Sequence, residues 1–318
     1  MPTTTRPAGE GPRTGKAIAV LGSVNRDLSL RVPRLPRDGE TLHALSFEST
    51  LGGKGANQAV AARRAGARVA LFCAVGDDPD GREVLAALRA ADVDVSDVGV
   101  RSAERTGTAV VLVGPTGDNV IVVAAGANGS MDRRYLDAAW PLIRSASLLI
   151  VQGEIPAEVN STAIGLAARD GIRAVVNLAP YQDLGAAISV ADPLVVNEVE
   201  AGQLLGTRID SIDEATDAAR TIAGRVRSVV ITLGALGAVV GAAGQAEHLP
   251  APHVAEVVDT TGAGDAFVGV LSAALLRGHS LLEAAAVGVE AASSAVRYPG
   301  AAAAYPDFSG LFRAPETP

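Results

Sequence analysis

The stretch Leu148-Leu149-Ile150-Val151-Gln152-Gly153-Glu154 sets four consecutive aliphatic side chains before an amide, a glycine and a carboxylate. A run this uniformly apolar reads as a strand buried on both faces, the condition of a strand in a parallel sheet with helices above and below. Its flanks agree: residues 131–144 and 157–169 space their apolar side chains by three and four, as amphipathic helices do. The pattern continues outward in both directions. Apolar runs at 17–21, 69–75, 174–178, 194–196 and 229–233 predict further strands, and 81–91 and 213–225 predict further helices. Two helix starts are spelled as capping boxes, Ser211-Ile212-Asp213-Glu214 and Ser280-Leu281-Leu282-Glu283. Alternation of this kind implies the α/β class: a three-layer, doubly wound, mainly parallel sheet with helices on both faces.

With 318 residues, 48% hydrophobic and only 3% aromatic, the chain must build its core from Ala, Val, Leu and Ile. That composition excludes disorder, collagen and coiled coil. A net charge of −8 argues against a nucleic-acid surface, which needs clustered Lys and Arg. The single cysteine, Cys73, lies in an apolar run and reads as a buried small hydrophobe; no Cys/His spacing suggests zinc. No apolar run approaches the ~20 residues of a membrane helix. Residues 1–15 read as a loose tail and not as a signal peptide, so a cytoplasmic protein is expected. One domain is expected over residues 16–312, with a second tail at 313–318. Two β-rich excursions interrupt it, within about 26–50 and 106–124. The first holds expected strands at 28–34 and 41–50; the second is an expected hairpin, 106–113 and 119–123, around Gly114-Pro115-Thr116-Gly117-Asp118. Together they read as a small β-sheet lid over the carboxyl ends of the main strands, where open α/β sheets bind ligands.

The chemistry gathers at those ends. Asp259-Thr260-Thr261-Gly262-Ala263-Gly264-Asp265-Ala266-Phe267 is a Gly-rich turn opening a helix to about Leu276. The N–H groups of Ala263, Gly264 and Asp265 would form an anion cradle at the positive end of that helix. Asp265 is either an ordinary cap or a group with a task, and beside a bound anion that task is removing a proton from an attacking hydroxyl. Leu51-Gly52-Gly53-Lys54-Gly55-Ala56-Asn57-Gln58-Ala59 is not a Walker loop, because no Ser or Thr follows Lys54. Its glycines admit close approach, and Lys54 and Asn57 offer donors to a hydroxyl-rich ligand. Asn25 and Asp27 alternate at period two after the first strand and are expected at its carboxyl end. Glu154, Asn197 with Glu200, and Thr232 with Gly234 follow three other strands. Each alone fits a cap or a turn; polar residues ending nearly every strand on one side do not.

The residues at 22–27, 52–58, 197–200, 232–237 and 259–265 resemble, in order and separation, the signatures of the ribokinase family of sugar kinases. The likeness runs from about residue 17 to 307. It implies ATP-dependent phosphorylation of D-ribose at the 5-hydroxyl, with Asp265 as base and Gly262, Ala263 and Gly264 as the anion hole. It implies that Asn25, Asp27, Gly53, Lys54, Asn57 and Glu154 hold the sugar. Asn197, Thr232, Gly234, Gly237, Gly264 and Val289 would line the ATP site, and Glu200 would order magnesium through water. A potassium ion would sit on the Asp259 carboxylate and the carbonyls of Thr261, Ala295, Tyr298 and Gly300. Two positions depart from the family pattern: Ala304 stands where a serine is common, and Val289 where relatives carry Asn or His.

Two other readings remain beside it: a kinase of the same superfamily acting on 2-deoxyribose, fructose or a nucleoside, and a silent sugar-binding protein. The lid strands carry Leu28, Leu30 and Val32, then Leu42, Leu45 and Phe47, apolar side chains that imply pairing with a second lid. A homodimer is therefore expected, which the family resemblance also implies.

Overall fold

The computed structural model describes residues 16–115 and 119–312. Both expected tails, and residues 116–118 of the expected hairpin turn, lie outside the described residues.

In chain order, β1 (Ile18–Leu21) leads into β2 (Asn25–Arg31) and β3 (Ser46–Gly52), then α1 (Lys54–Arg64), β4 (Val69–Phe72) and β5 (Ala74–Gly76). After α2 (Pro79–Ala90) come β6 (Gly99–Arg101), β7 (Gly107–Val113), β8 (Asn119–Ala124) and α3 (Arg133–Ile143). The chain continues through β9 (Leu148–Gln152), α4 (Ala157–Arg169), β10 (Arg173–Asn177), β11 (Leu194–Asn197), α5 (Glu198–Leu205) and α6 (Ile212–Ala223). It finishes with β12 (Ser228–Thr232), β13 (Ala238–Ala242), β14 (Gln245–Leu249), α7 (Ala263–Arg277) and α8 (Leu281–Ala295).

The main sheet has eight strands in the order β14-β13-β12-β11-β10-β9-β1-β4. Pairing is parallel from β4 to β12 and antiparallel at the β13–β14 edge. Alternation within β1 explains the layers. Ile18 and Val20 face a core shared with α1, α2, α7 and α8, while Ala19 and Leu21 face one shared with α3, α4, α5 and α6. All four are at most 1% exposed. Strands buried on both faces must be apolar at every position, which is why they are legible in the sequence.

Several boundaries differ from expectation. The run at 69–75 is two strands, because Cys73 breaks the ladder and β5 leaves the main sheet to pair with β6. β13 and β14 had no counterpart in the reading; Gly237, Gly241 and Gly244 blur their alternation. The lid is a four-stranded sheet, β3-β2-β7-β8, whose first two strands run at Asn25–Arg31 and Ser46–Gly52, not 28–34 and 41–50. Asn25 and Asp27 consequently belong to the root of the lid and not to the end of β1. Ser280 and Glu283 form the expected reciprocal box, but Ser211 caps alone while Glu214 accepts from the Asp210 N–H. Among the described residues no helix is long and apolar enough to cross a membrane.

One contact governs how the site is assembled. α1 and α7 cross at Gly269, where an added Cβ would lie 2.6 Å from Ala61 Cβ and from the Gln58 carbonyl oxygen. Alanine gains about 1 kcal/mol in helix propensity over glycine, but overpacking a close-packed contact costs about 1–3 kcal/mol. The clash should win, since both partners are fixed by their helix. Gly269→Ala is expected to lower the midpoint of urea unfolding; an unchanged or higher midpoint would show that the helices can separate freely.

Candidate active site

Residues from α7, α1, the lid root and the loop after β9 converge on Asp265. It lies in the first turn of α7 and is 6% exposed. Its carboxylate does not cap its own helix. Oδ2 accepts from Asn57 Nδ2 at 2.9 Å and Oδ1 from Gln58 Nε2 at 2.9 Å, both donors on α1. The helix start is instead Gly262, in the left-handed region at φ 76°. Its carbonyl accepts from Tyr305 Oη at 2.6 Å and from the Ala266 N–H at 2.8 Å, which clamps the turn.

The anion cradle differs in one respect from expectation. The Ala263 N–H donates to the Thr260 carbonyl at 3.2 Å, so it is engaged within the turn. The N–H groups of Gly264 and Asp265 occupy helix positions without an intrahelical acceptor and are oriented for a ligand. A Cβ at Gly264 would meet nothing within 4 Å. Gly264 thus leaves its side-chain direction unobstructed.

Asp27, on β2, is partly buried beside Asp265 and Glu154. Burial first, then the charges of Glu154 and Asp265, push its carboxyl up to about 7. Its Oδ1 is buried without a hydrogen-bond partner. Gly52 makes room for it: a Cβ there would lie 2.0 Å from the Asp27 carboxyl. Glu154 Oε2 accepts from the Lys54 N–H at 2.9 Å and from Ser23 Oγ at 2.5 Å, and Ser23 Oγ in turn accepts from the Gly55 N–H. Asn25, 3% exposed, accepts at Oδ1 from Asn128 Nδ2, leaving its own amide donor for another partner. Lys54 sits among the acids. Asp265 chiefly, with Glu154 and Glu200, holds its ammonium above the ordinary lysine value against the opposing pull of burial.

Across the sheet, Asn197 and Glu200 form a reciprocal capping box at the start of α5. Glu200 Oε2 accepts from the Asn197 N–H at 2.9 Å, so one oxygen is committed to the helix and the other is left for a ligand. Burial raises the Glu200 carboxyl, opposed by the Asn197 N–H and by Lys54. Thr232 ends β12, and Gly234 and Gly237 form the turn into β13. Val289 is 6% exposed within α8. Ser293, one turn beyond it, lines a cavity of about 590 Å³ between α8 and the segment 252–258, together with His253, Glu256, Glu290 and Arg297.

Asp259 joins two segments by accepting from the Thr261 N–H at 2.8 Å and the Gly300 N–H at 2.9 Å. Burial pushes its carboxyl up, but these hydrogen bonds prevail and hold it below the usual range. Of the carbonyls expected around it, that of Ala295 already accepts from the Tyr298 N–H at 3.1 Å. An ionised carboxylate among neutral carbonyls is a donor set that fits a large monovalent cation. Among the described residues, no group of three or more His, Cys, Asp or Glu could hold a metal.

Ser23, Gln58, Asn128, Asn177 and Tyr305 had no role in the sequence reading. Ser23 and Gln58 stood inside quoted motifs; nothing near Asn128, Asn177 or Tyr305 marks them.

The pfkB family carbohydrate kinase model matches residues 16–307. The chain belongs to that family. It is 35% identical to a ribokinase of Haemophilus influenzae over 293 residues, covering 92% of this chain and 95% of that one. A deoxyribokinase of Salmonella typhi is 33% identical over 255 residues, covering 79% and 83%. Among solved structures, Arabidopsis thaliana ribokinase complexed with ribose and ATP superposes with a TM-score of 0.84 at 28% identity, covering 94% and 98%.

A carboxyl raised from 3.8 to about 7 keeps its proton in the folded state over a window where the unfolded chain has lost it. Folding therefore binds a proton between those values, and stability falls as pH rises through that window. Asp27→Asn removes the effect. The variant should gain stability over the parent between pH 5 and pH 8, by roughly 1–3 kcal/mol after allowance for partial exposure. Urea unfolding at the two pH values measures this, and an equal difference at both would mean that Asp27 is already ionised at pH 5.

Proposed function

We propose that this carbohydrate kinase transfers the γ-phosphoryl of ATP to the 5-hydroxyl of D-ribose, giving ribose 5-phosphate. One juxtaposition carries the reading: a buried carboxylate, Asp265, stands in the same helical turn as the open amides of Gly264 and Asp265. A base and an anion hole within one turn can act on the two ends of one forming O–P bond. Asp265 takes the hydroxyl proton, the oxygen attacks the γ-phosphorus, and the amides stabilise charge on the transferring group. Asn25, Asp27, Gly53, Lys54, Asn57 and Glu154 hold the sugar, with Asp27 and Glu154 accepting from its hydroxyls.

Asn197, Thr232, Gly234, Gly237 and Gly264 line the nucleotide. The base enters the cavity between α8 and 252–258, lined on the helix side by Glu290, Ser293, Ser294 and Arg297. Val289, where relatives carry Asn or His, is packed in the core and does not line that cavity. Magnesium would be held mainly by phosphate oxygens and water, with the second Glu200 oxygen ordering that water, and would neutralise phosphate charge. Potassium would be held by Asp259 with the carbonyls of Thr261, Ala295, Tyr298 and Gly300, adding positive charge near the anion hole. Ala304 would supply no hydroxyl to it. A cytoplasmic enzyme remains the expectation.

The relatives' names support ribose as the acceptor, and the likeness to a deoxyribokinase keeps 2-deoxyribose as the second reading. Phosphorylation of ribose, 2-deoxyribose, fructose and nucleosides, with and without potassium, separates them, and Asp265→Asn tests the base. Ribose should be the best acceptor, and Asp265→Asn should lower kcat by roughly 10²–10⁴ with little change in sugar binding. Ribose bound without ATP turnover would point to a silent binding protein.

The lid also supports a homodimer. Phe47 on β3 and Val120 and Val122 on β8 are 61%, 43% and 64% exposed, and the register through Leu28, Leu30, Val110 and Leu112 puts them on one face of the sheet. Exposed apolar residues on one face of a small sheet make a patch that a second lid would cover. Sedimentation should give a dimer for the parent and a monomer for Val122→Lys; a monomeric parent at working concentration refutes the pairing.

A further inference from the structure

The two oxygens of Asp265 are held differently. Oδ2 accepts from Asn57, whose side chain reaches the edge of the site, whereas Oδ1 accepts from Gln58, which has no exposed surface. Gln58 uses the same nitrogen twice: Nε2 donates at 2.9 Å to Asp265 Oδ1 and at 2.9 Å to Asn177 Oδ1. Asn177, at the end of β10, is oriented in turn by donating from Nδ2 to the Val195 carbonyl at 3.2 Å. The chain of donors therefore fixes which way the Gln58 amide faces. Turned over, its oxygen would confront a carboxylate and an amide oxygen in a buried site. The arrangement leaves Gln58 Oε1 without a partner. A buried orphan acceptor is costly, and it persists here because both hydrogens of the amide are committed.

We propose that Gln58 is a positioning residue for phosphoryl transfer: its amide, oriented by Asn177, anchors Oδ1 of Asp265 on the protein side, so that Oδ2 accepts the proton of the attacking hydroxyl. Asn57 yields Oδ2 to the substrate; Gln58 does not yield Oδ1. The proton moves from the hydroxyl oxygen to Oδ2 as the O–P bond forms and the bond to the leaving diphosphate breaks. Gln58 contributes no proton and touches no substrate. It stabilises the ionised form of the base and fixes its rotamer.

This rests on Asp265 being the base. Other titratable groups face that carboxylate: Lys54 from α1, Asp27 from β2, Glu200 from α5 and the neutral Tyr305 hydroxyl, with Glu154 next to Asp27 and Lys54. Asp27, pushed up to about 7, would itself titrate within a pH profile, so the readout is kcat with sugar and ATP saturating, where bound sugar occupies Asp27.

Gln58→Met keeps the volume and removes the donor. Its kcat should fall roughly 10–100-fold with both KM values within about twofold, since only the reacting group loses its anchor. The acidic limb of its kcat–pH profile should move up by roughly one pH unit, because a carboxylate that loses a hydrogen-bond donor holds its proton more tightly. Asn177→Ser frees the Gln58 amide without touching Asp265; it should move the limb the same way by less, and it gives the reading if Gln58→Met does not fold. An unmoved limb in the folded variants overturns the inference, even if kcat falls, because a merely structural role lowers turnover without altering the base. Asp265→Asn is measured alongside. If it stays inactive while the limb is unmoved, only this inference fails; if it turns over like the parent, the assignment of the base fails with it.

Discussion

A negative charge is buried where two helices cross, and the rest of the site is arranged around keeping it there. Removing a carboxylate from water costs several kcal/mol unless donors replace the lost hydration. For Asp265 the replacement comes from two adjacent amides on α1, Asn57 and Gln58, at 2.9 Å each, with the Lys54 ammonium near by. This arrangement requires α1 and α7 to approach closely, and Gly269 permits it. Packing between helices thus sets the geometry of the chemistry.

The second constraint is crowding of like charge. Burial first, then the charges of Glu154 and Asp265, push the Asp27 carboxyl to about 7. Acceptors here are short of donors, visible in the unpartnered Asp27 Oδ1. The hydroxyls of a sugar would supply those donors. Part of the stability of the resting protein is thereby exchanged for affinity, as is common where binding groups are buried.

Glu200 shows how one residue can meet local and distant demands together. Half of its carboxylate closes the capping box with Asn197, which anchors the start of α5, and the other half remains free at the end of β11. The cap fixes the side chain, so the free oxygen is held in place by helix stability and not by a separate network. Asp259 is similar: by accepting from Thr261 and Gly300 it ties the turn before α7 to the chain after α8.

The layered fold was readable because strands such as β1 and β9 are apolar at every position and the helices between them keep their period. The glycine-rich turns were readable too, because backbone that must approach a ligand or another backbone leaves glycine in the chain. Less was readable where tertiary pairing overrode local pattern. β5 left the main sheet for β6, and Asn25 and Asp27 began a lid strand and did not end a core one. Lone polar residues were silent. Asn128, Asn177 and Tyr305 lie about 100, 120 and 40 residues from the partners that give them meaning, and no local rule links them. By itself the sequence determined the layers, the end of the sheet where chemistry gathers and the residue types available there. Only the tertiary structure decided which amide holds which carboxylate oxygen, because a hydrogen bond depends on ångström distances between segments that periodicity leaves free.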